Sequence, residues 1–151
     1  MARYEDLATG PSGGGWLPAP PPLVVTAPAT VHNATELRRA FHRWVDALVD
    51  DDTANDLSLA VYEALTNAAE HAFTPQQEPG SMCLHASIAD VEVTITIADN
   101  GTWRSPDNLP SHRGRGLALI HQLTTHVHLH RDAHGSTVLL RHQLSPQRAD
   151  Y

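Results

Sequence analysis

A chain of 151 residues is long enough for one domain with its own core. Its formal charge of −7 argues against non-specific nucleic-acid binding, which sets Lys and Arg against phosphate, and suits a basic protein partner. Cys83 is the only cysteine, so an intrachain disulfide is excluded; no apolar run approaches a membrane span, and residues 1–22 lack the apolar middle of a signal peptide. The expected compartment is the cytoplasm.

Residues 1–22, with Gly13-Gly14-Gly15 and Pro18 to Pro22, are expected to form a disordered tail that ends in an extended lead-in, with Trp16 loose. Residues 23–144 are expected to form the domain, followed by a polar tail, 145–151. Leu23 to Ala27 reads as a first strand. Asn33 with Glu36 resembles a helix N-cap pair, and Leu37, Phe41, Trp44, Val45 and Leu48 follow at helical spacing to about Val49. Asp50-Asp51-Asp52 lacks the Gly and distal Glu of a calcium loop and reads as helix-start charge and loop solvation, with Thr53 as the cap of the next helix.

Leu57 to Phe73 reads as a helix with two incompatible faces. Ala60, Val61, Ala64, Leu65 and Ala68 make a buried stripe, while Glu63, Asn67 and His71 recur every fourth residue. Each four-residue step drifts by only about 40°, so the three polar tips stand in a row. Such a row is either a solvated face or part of a site. After a proline-bearing loop, Met82, Leu84, Ala86 and Ile88 alternate with polar residues, as do Val91, Val93, Ile95 and Ile97. This pattern predicts a hairpin turning at Ala89-Asp90. The second strand runs into Asp99-Asn100-Gly101. Residues 102–113 read as a loop, Leu117 to Leu123 as a short helix opened by Gly114-Arg115-Gly116, and Val127 with Leu129 as part of a strand. Asp132 to Gly135 should turn and Ser136 to Leu144 return as the last strand. His126, His128 and His130 share one strand face; adjacent imidazoles would sit about 6.6 Å apart, nothing acidic nearby completes a shell, and a polar outer sheet face is the better reading than a metal site.

Three stretches together have the chemistry of a nucleotide pocket. Asp99, ending a core strand with Gly101 two residues on, suits the exocyclic amine of adenine. Gly114 and Gly116 precede a helix whose N–H groups and dipole can face phosphate. Asn67 offers a neutral oxygen suited to Mg²⁺ beside phosphates, and Glu63, one turn earlier, can take a proton from an attacking hydroxyl.

The ordered set Glu63 and Asn67, Asp99 and Gly101, Gly114 to Leu117, and Gly135 to Thr137 resembles the N-box and glycine boxes of the GHKL ATPase superfamily, above all its RsbW-like anti-sigma factor kinases of the short actinobacterial type. The resemblance covers roughly residues 23–144. It implies an α/β two-layer sandwich, with a mixed sheet of about five strands covered on one face by three helices. It further implies ATP and Mg²⁺ binding, phosphorylation of a serine or threonine on an anti-anti-sigma protein, sequestration of a sigma factor and a tendency to form a homodimer. By the same resemblance Glu63 matches the general base, Asn67 the Mg²⁺ ligand and Asp99 the adenine-reading acid. Gly101, Gly114, Gly116 and Leu117 match positions around the nucleotide, His71 matches a family position, and Thr137 matches the threonine that holds adenine through water. Arg104, Arg113 or Arg115 is placed to reach the γ-phosphate. The chain departs from the pattern at Trp103 and Ala72, where glycine is common, and in the short stretch 102–113, where a nucleotide lid is expected.

Two other functions remain open at this level. The catalytic module of a sensor histidine kinase needs an upstream helical hairpin with a phospho-accepting His, which residues 1–22 are too short and too proline-rich to supply. A non-catalytic, nucleotide-responsive switch has no need of a base, and Glu63 is retained.

Overall fold

Strand alternation and helical amphipathicity assemble here into two layers, a five-stranded sheet and, among the described residues, two long helices on one of its faces. The computed structural model describes residues 19–71, 80–101 and 120–144. The elements run β1 (Leu23–Pro28), α1 (Val31–Asp46), α2 (Asp51–His71), β2 (Ser81–Ala89), β3 (Glu92–Asp99), β4 (His126–Asp132) and β5 (Gly135–Gln143). The sheet order is β1-β2-β3-β5-β4.

The expected mixed sheet is antiparallel in all four pairings. The reason lies in the connections. Two helices separate β1 from β2, so the chain reverses direction three times and returns antiparallel to β1. β4 runs in the same direction as β3, but β5 lies between them, and no parallel neighbours result. Of the third helix, residues 120–123 are described; Thr124 closes them by donating its backbone N–H to the Ile120 carbonyl at 3.1 Å.

The core lies between the layers. α1 buries Ala34, Leu37, Phe41 and Val45; α2 buries Leu57, Val61, Leu65 and the alanines 54, 60, 64 and 68; the sheet contributes Met82, Leu84, Ala86, Val93, Ile95, Ile97 and Leu140. Trp44, expected at a core position, is half-buried. It packs on Phe41 with ring centroids 6.1 Å apart, and its Nε1–H donates to the Pro21 carbonyl at 3.0 Å. The indole thereby fastens the end of the proline-rich lead-in to the domain. The other expected tail residues, 1–18 with Trp16 and 145–151, lie outside the described residues.

Local boundaries shift where capping chemistry differs from the expected one. α1 is capped by Thr30 and not by Asn33: Thr30 is extended (φ −121°, ψ 155°) and its Oγ1 accepts the Asn33 backbone N–H at 3.1 Å. Asn33 serves the same end differently, its Nδ2 donating to the Pro28 carbonyl at 2.9 Å. The helix stops at Asp46, three residues before Val49, because the Leu48 and Val49 N–H groups both turn back to the Val45 carbonyl. α2 begins at Asp51 with Asp50 in the capping place; Asp50 Oδ1 accepts from Thr53 N at 2.8 Å and Oδ2 from Thr53 Oγ1 at 2.9 Å. These bonds hold the Asp50 carboxyl below its ordinary pKa. Thr53 is thus the donor in this cap. The hairpin turns one residue later than expected, at Asp90-Val91, with Ala89 paired to Glu92; Asp90 takes φ 52°, a left-handed conformation that Asp tolerates, and Val91 is exposed.

The outer sheet face carries the exposed His85, His126, His128 and His130. Among the described residues no group of His, Cys, Asp or Glu is arranged to hold a metal, and no helix is long and apolar enough to cross a membrane.

Leu65 of α2 is fully buried in the core. Leu65→Ala is expected to lower the free energy of unfolding by about 2–5 kcal/mol, read from chemical denaturation at unchanged m-value.

Candidate nucleotide site

The site forms where β3 ends, because three local constraints meet there. Asp99 folds back on the chain that follows it: Oδ1 accepts the Gly101 N–H at 3.0 Å. Asn100 turns the other way, its Oδ1 accepting the Ser81 N–H at 2.9 Å, while its own N–H donates to the Ser81 carbonyl at 3.3 Å. The exit of β3 is thereby fastened to the start of β2. On the other side Asp99 pairs with Ser136 in the β3–β5 ladder, and Ser136 Oγ donates to Asp99 Oδ2. The Asp99 carboxylate is half-buried with a donor on each oxygen, and its direction is fixed.

Gly135 makes this crossing possible. It has φ +149°, and a Cβ built on it would stand 2.0 Å from the Asp99 carbonyl oxygen. That distance is far inside van der Waals contact, with backbone as the obstacle, so only glycine lets β5 begin against the end of β3.

A pocket opens on the helix side of this crossing. Its sheet wall is Ile97, Asp99, Ser136 and Val138; Ala64 and Asn67 of α2 face it, Ile120 lies at its side, and Leu129 and Arg131 of β4 complete it. Asp99 and Asn67, predicted from sequence, are brought together here. Glu63 lies one turn before Asn67, half-buried and outside the pocket lining. Gly101 is buried beneath the Asp99 carboxylate that it serves. His71 ends α2, and its side chain, like Arg104, Arg113, Gly114, Arg115, Gly116 and Leu117, lies outside the described residues.

Thr137 is placed differently from the expectation. It pairs with Ala98, one step along the ladder from Ser136, and strand alternation sets it on the opposite sheet face from Asp99. The hydroxyl on the pocket belongs to Ser136. The signal was available: Asp99 must share a face with its cross-strand partner, and that residue directly follows Gly135. Two further polar groups escaped the sequence reading. Asn100 works through its side chain as a clasp to β2. Arg131 sits in the His-rich edge strand with the parity of Val127 and Leu129, and so faces the pocket while the histidines face out. Partial burial lowers the pKa of its guanidinium, and the Asp99 carboxylate opposes that shift.

Gly135→Ala forces its methyl group into the Asp99 carbonyl and a side chain into a backbone region that suits glycine. It is expected to cost about 1–3 kcal/mol of stability in a thermal melt. The amide crosspeaks of Asp99 and Gly101 should move more than those of β1, far across the sheet.

Comparison with known proteins agrees with this architecture. The profile of the histidine kinase-like ATPase domain matches residues 27–142. The chain is 30% identical over 114 residues to the serine-protein kinase RsbW of Bacillus licheniformis, covering 66% of this chain and 70% of that one. It is 39% identical over 62 residues to an anti-sigma F factor of Clostridium botulinum, covering 41% of each. Among solved structures it resembles the RsbU and RsbW domains of a Mycobacterium tuberculosis protein, with a TM-score of 0.68 and 26% identity over 84% of this chain and 33% of that chain. It also resembles a blue-light activated histidine kinase of Erythrobacter litoralis, with a TM-score of 0.56 and 28% identity over 66% of this chain and 33% of that chain. With a family profile that begins in β1 and ends in β5, the chain belongs to the histidine kinase-like ATPase family.

Proposed function

We propose that the chain is an ATP-dependent protein serine/threonine kinase of the RsbW kind, which phosphorylates an anti-anti-sigma protein and holds a sigma factor when that protein is absent. The observation that carries this reading is the Asp99 carboxylate, fixed by Gly101 and Ser136 in a pocket whose helical wall presents Asn67. Family membership implies ATP binding, and the likeness to a serine-protein kinase and an anti-sigma factor supports the transfer and the sigma partner.

The donor set fits adenine. A carboxylate accepts from the exocyclic amine of adenine and repels the O6 oxygen of guanine, and a site built to receive one hydrogen bond rejects the base that lacks it. Each carboxylate oxygen has two acceptor directions, and one on each is spent on Ser136 and Gly101, which leaves capacity for the amine. Asn67 would hold Mg²⁺ through its carbonyl oxygen, and the ion would neutralise charge on the phosphates. No acidic cluster competes for that role among the described residues.

In the transfer, a serine or threonine hydroxyl of the partner forms a new O–P bond to the γ-phosphorus as the bond to the β–γ bridging oxygen breaks and ADP leaves. Glu63 accepts the hydroxyl proton. The transition state is loose, so Glu63 chiefly orients the nucleophile. A second acceptor chemistry, transfer to histidine, draws on the likeness to the blue-light activated kinase.

Glu63→Gln keeps size and helix packing and cannot take the proton. It should bind ATP nearly as the wild type does and lose transfer by about 10²–10⁴-fold in single-turnover assays with candidate antagonist proteins. Transfer within a few-fold of wild type would remove Glu63 from the role of base. Acid-labile phosphate on the product would point to phosphohistidine and overturn the serine/threonine assignment.

The two neighbouring hydroxyls separate cleanly. Ser136→Ala is expected to weaken ADP binding roughly tenfold through the freed Asp99 oxygen, whereas Thr137→Val, on the other sheet face, should leave ADP affinity unchanged. Isothermal titration of both variants checks this.

A further inference from the structure

Asp99 accounts for one atom of a base and leaves its neighbours unread. In adenine the exocyclic amine is flanked by ring nitrogens, N1 and N7, and both only accept. A carboxylate cannot serve them. Ser136 cannot do so at the same time, because its hydroxyl hydrogen is directed to Asp99 Oδ2. A direct side-chain contact to either ring nitrogen therefore needs a separate donor on the same wall.

Arg131 stands in that place. It pairs with Ser136 in the β4–β5 ladder, and Ser136 pairs with Asp99 in the β3–β5 ladder. The three residues form one row across three strands, and paired residues point to the same side of a sheet. Two strand steps put the ends of the row roughly 10 Å apart at the backbone, a distance that an arginine side chain can reach across. All three residues line the same pocket, and the Asp99 carboxylate acts electrostatically on the Arg131 guanidinium. Guanidinium brings five donors and no acceptor, the complement of a carboxylate.

Resting on the nucleotide reading, we propose that Arg131 is a specificity-determining residue of the base subsite, donating to a ring nitrogen of adenine beside the amine that Asp99 accepts. Acceptor and donor side by side match adenine's amine and ring nitrogen. They do not match the Watson–Crick edge of guanine in the same orientation, where the oxygen replaces the amine and N1 carries a hydrogen.

The test uses the full chain and three probes, ADP, 1-deaza-ADP and 7-deaza-ADP, each titrated calorimetrically into wild type, Arg131→Leu and Arg131→Lys. The wild type is expected to bind one of the two deaza analogues about tenfold more weakly than ADP. Arg131→Leu should lose a similar factor on ADP and show no further loss on that analogue, and Arg131→Lys should recover part of both effects. Because each protein is compared with itself across probes, a general loosening of the fold weakens all three ligands alike and does not imitate this pattern. An equal deaza penalty in wild type and Arg131→Leu, with ADP bound by both, overturns the role of Arg131 and leaves the nucleotide reading intact. No penalty for either analogue in the wild type does the same. No binding of ADP to the wild type overturns the nucleotide reading and this inference with it.

Discussion

The approach of Gly135 to the Asp99 carbonyl is the constraint on which the rest of the site depends. A side chain at that position would overlap backbone, so the close crossing of β3 and β5 exists only because the residue has no Cβ. Once the crossing is made, Ser136 necessarily falls opposite Asp99, and its hydroxyl meets the carboxylate. The next strand step brings Arg131 into the same row. The site is therefore a consequence of register. Its polar groups are set by backbone pairing, and each is one residue away from facing the wrong side of the sheet.

Much of the fold was legible because the core is built from regular periods. Met82, Leu84 and Ala86, like Val93, Ile95 and Ile97, alternate without interruption, and burial follows the alternation residue by residue. Strand direction was not legible in this way. Periodicity reports which face a residue takes and is silent on whether a neighbour runs parallel; that depended on how many helices lie between β1 and β2 and on β5 being inserted between β3 and β4. Helix ends were misjudged by up to three residues for a related reason. Thr30, Asn33, Asp50 and Thr53 are all competent caps, and the choice among them is settled by φ, ψ and by which side chain the first free N–H meets.

Within the candidate site, what was legible is placement: Asp99 ends a regular strand and Asn67 lies on an amphipathic helix, and one pocket contains both. Thr137 was assigned by resemblance to a Gly-x-Thr string, although strand parity favours the residue beside the glycine, which is Ser136. Arg131 was hidden by its surroundings: in a strand of alternating histidines its charge looks like one more polar surface residue, and only the ladder shows that it has the parity of Val127 and Leu129.

The two faces of α2 are held together by small residues. Ala60, Ala64 and Ala68 recur every fourth residue along the buried stripe, and all are almost completely inaccessible. With methyl groups at these positions the helix lies close to the sheet, and Asn67, adjacent to Ala64 on the helix surface, is brought to the pocket at the end of β3. Ala64 is itself both core and pocket wall. A larger side chain there would have to enter the pocket or lift the helix, and either response separates Asn67 from Asp99. Asn67 thus owes its position to the alanines behind it. Core packing and site geometry along this helix are therefore a single requirement, written in the same run of residues.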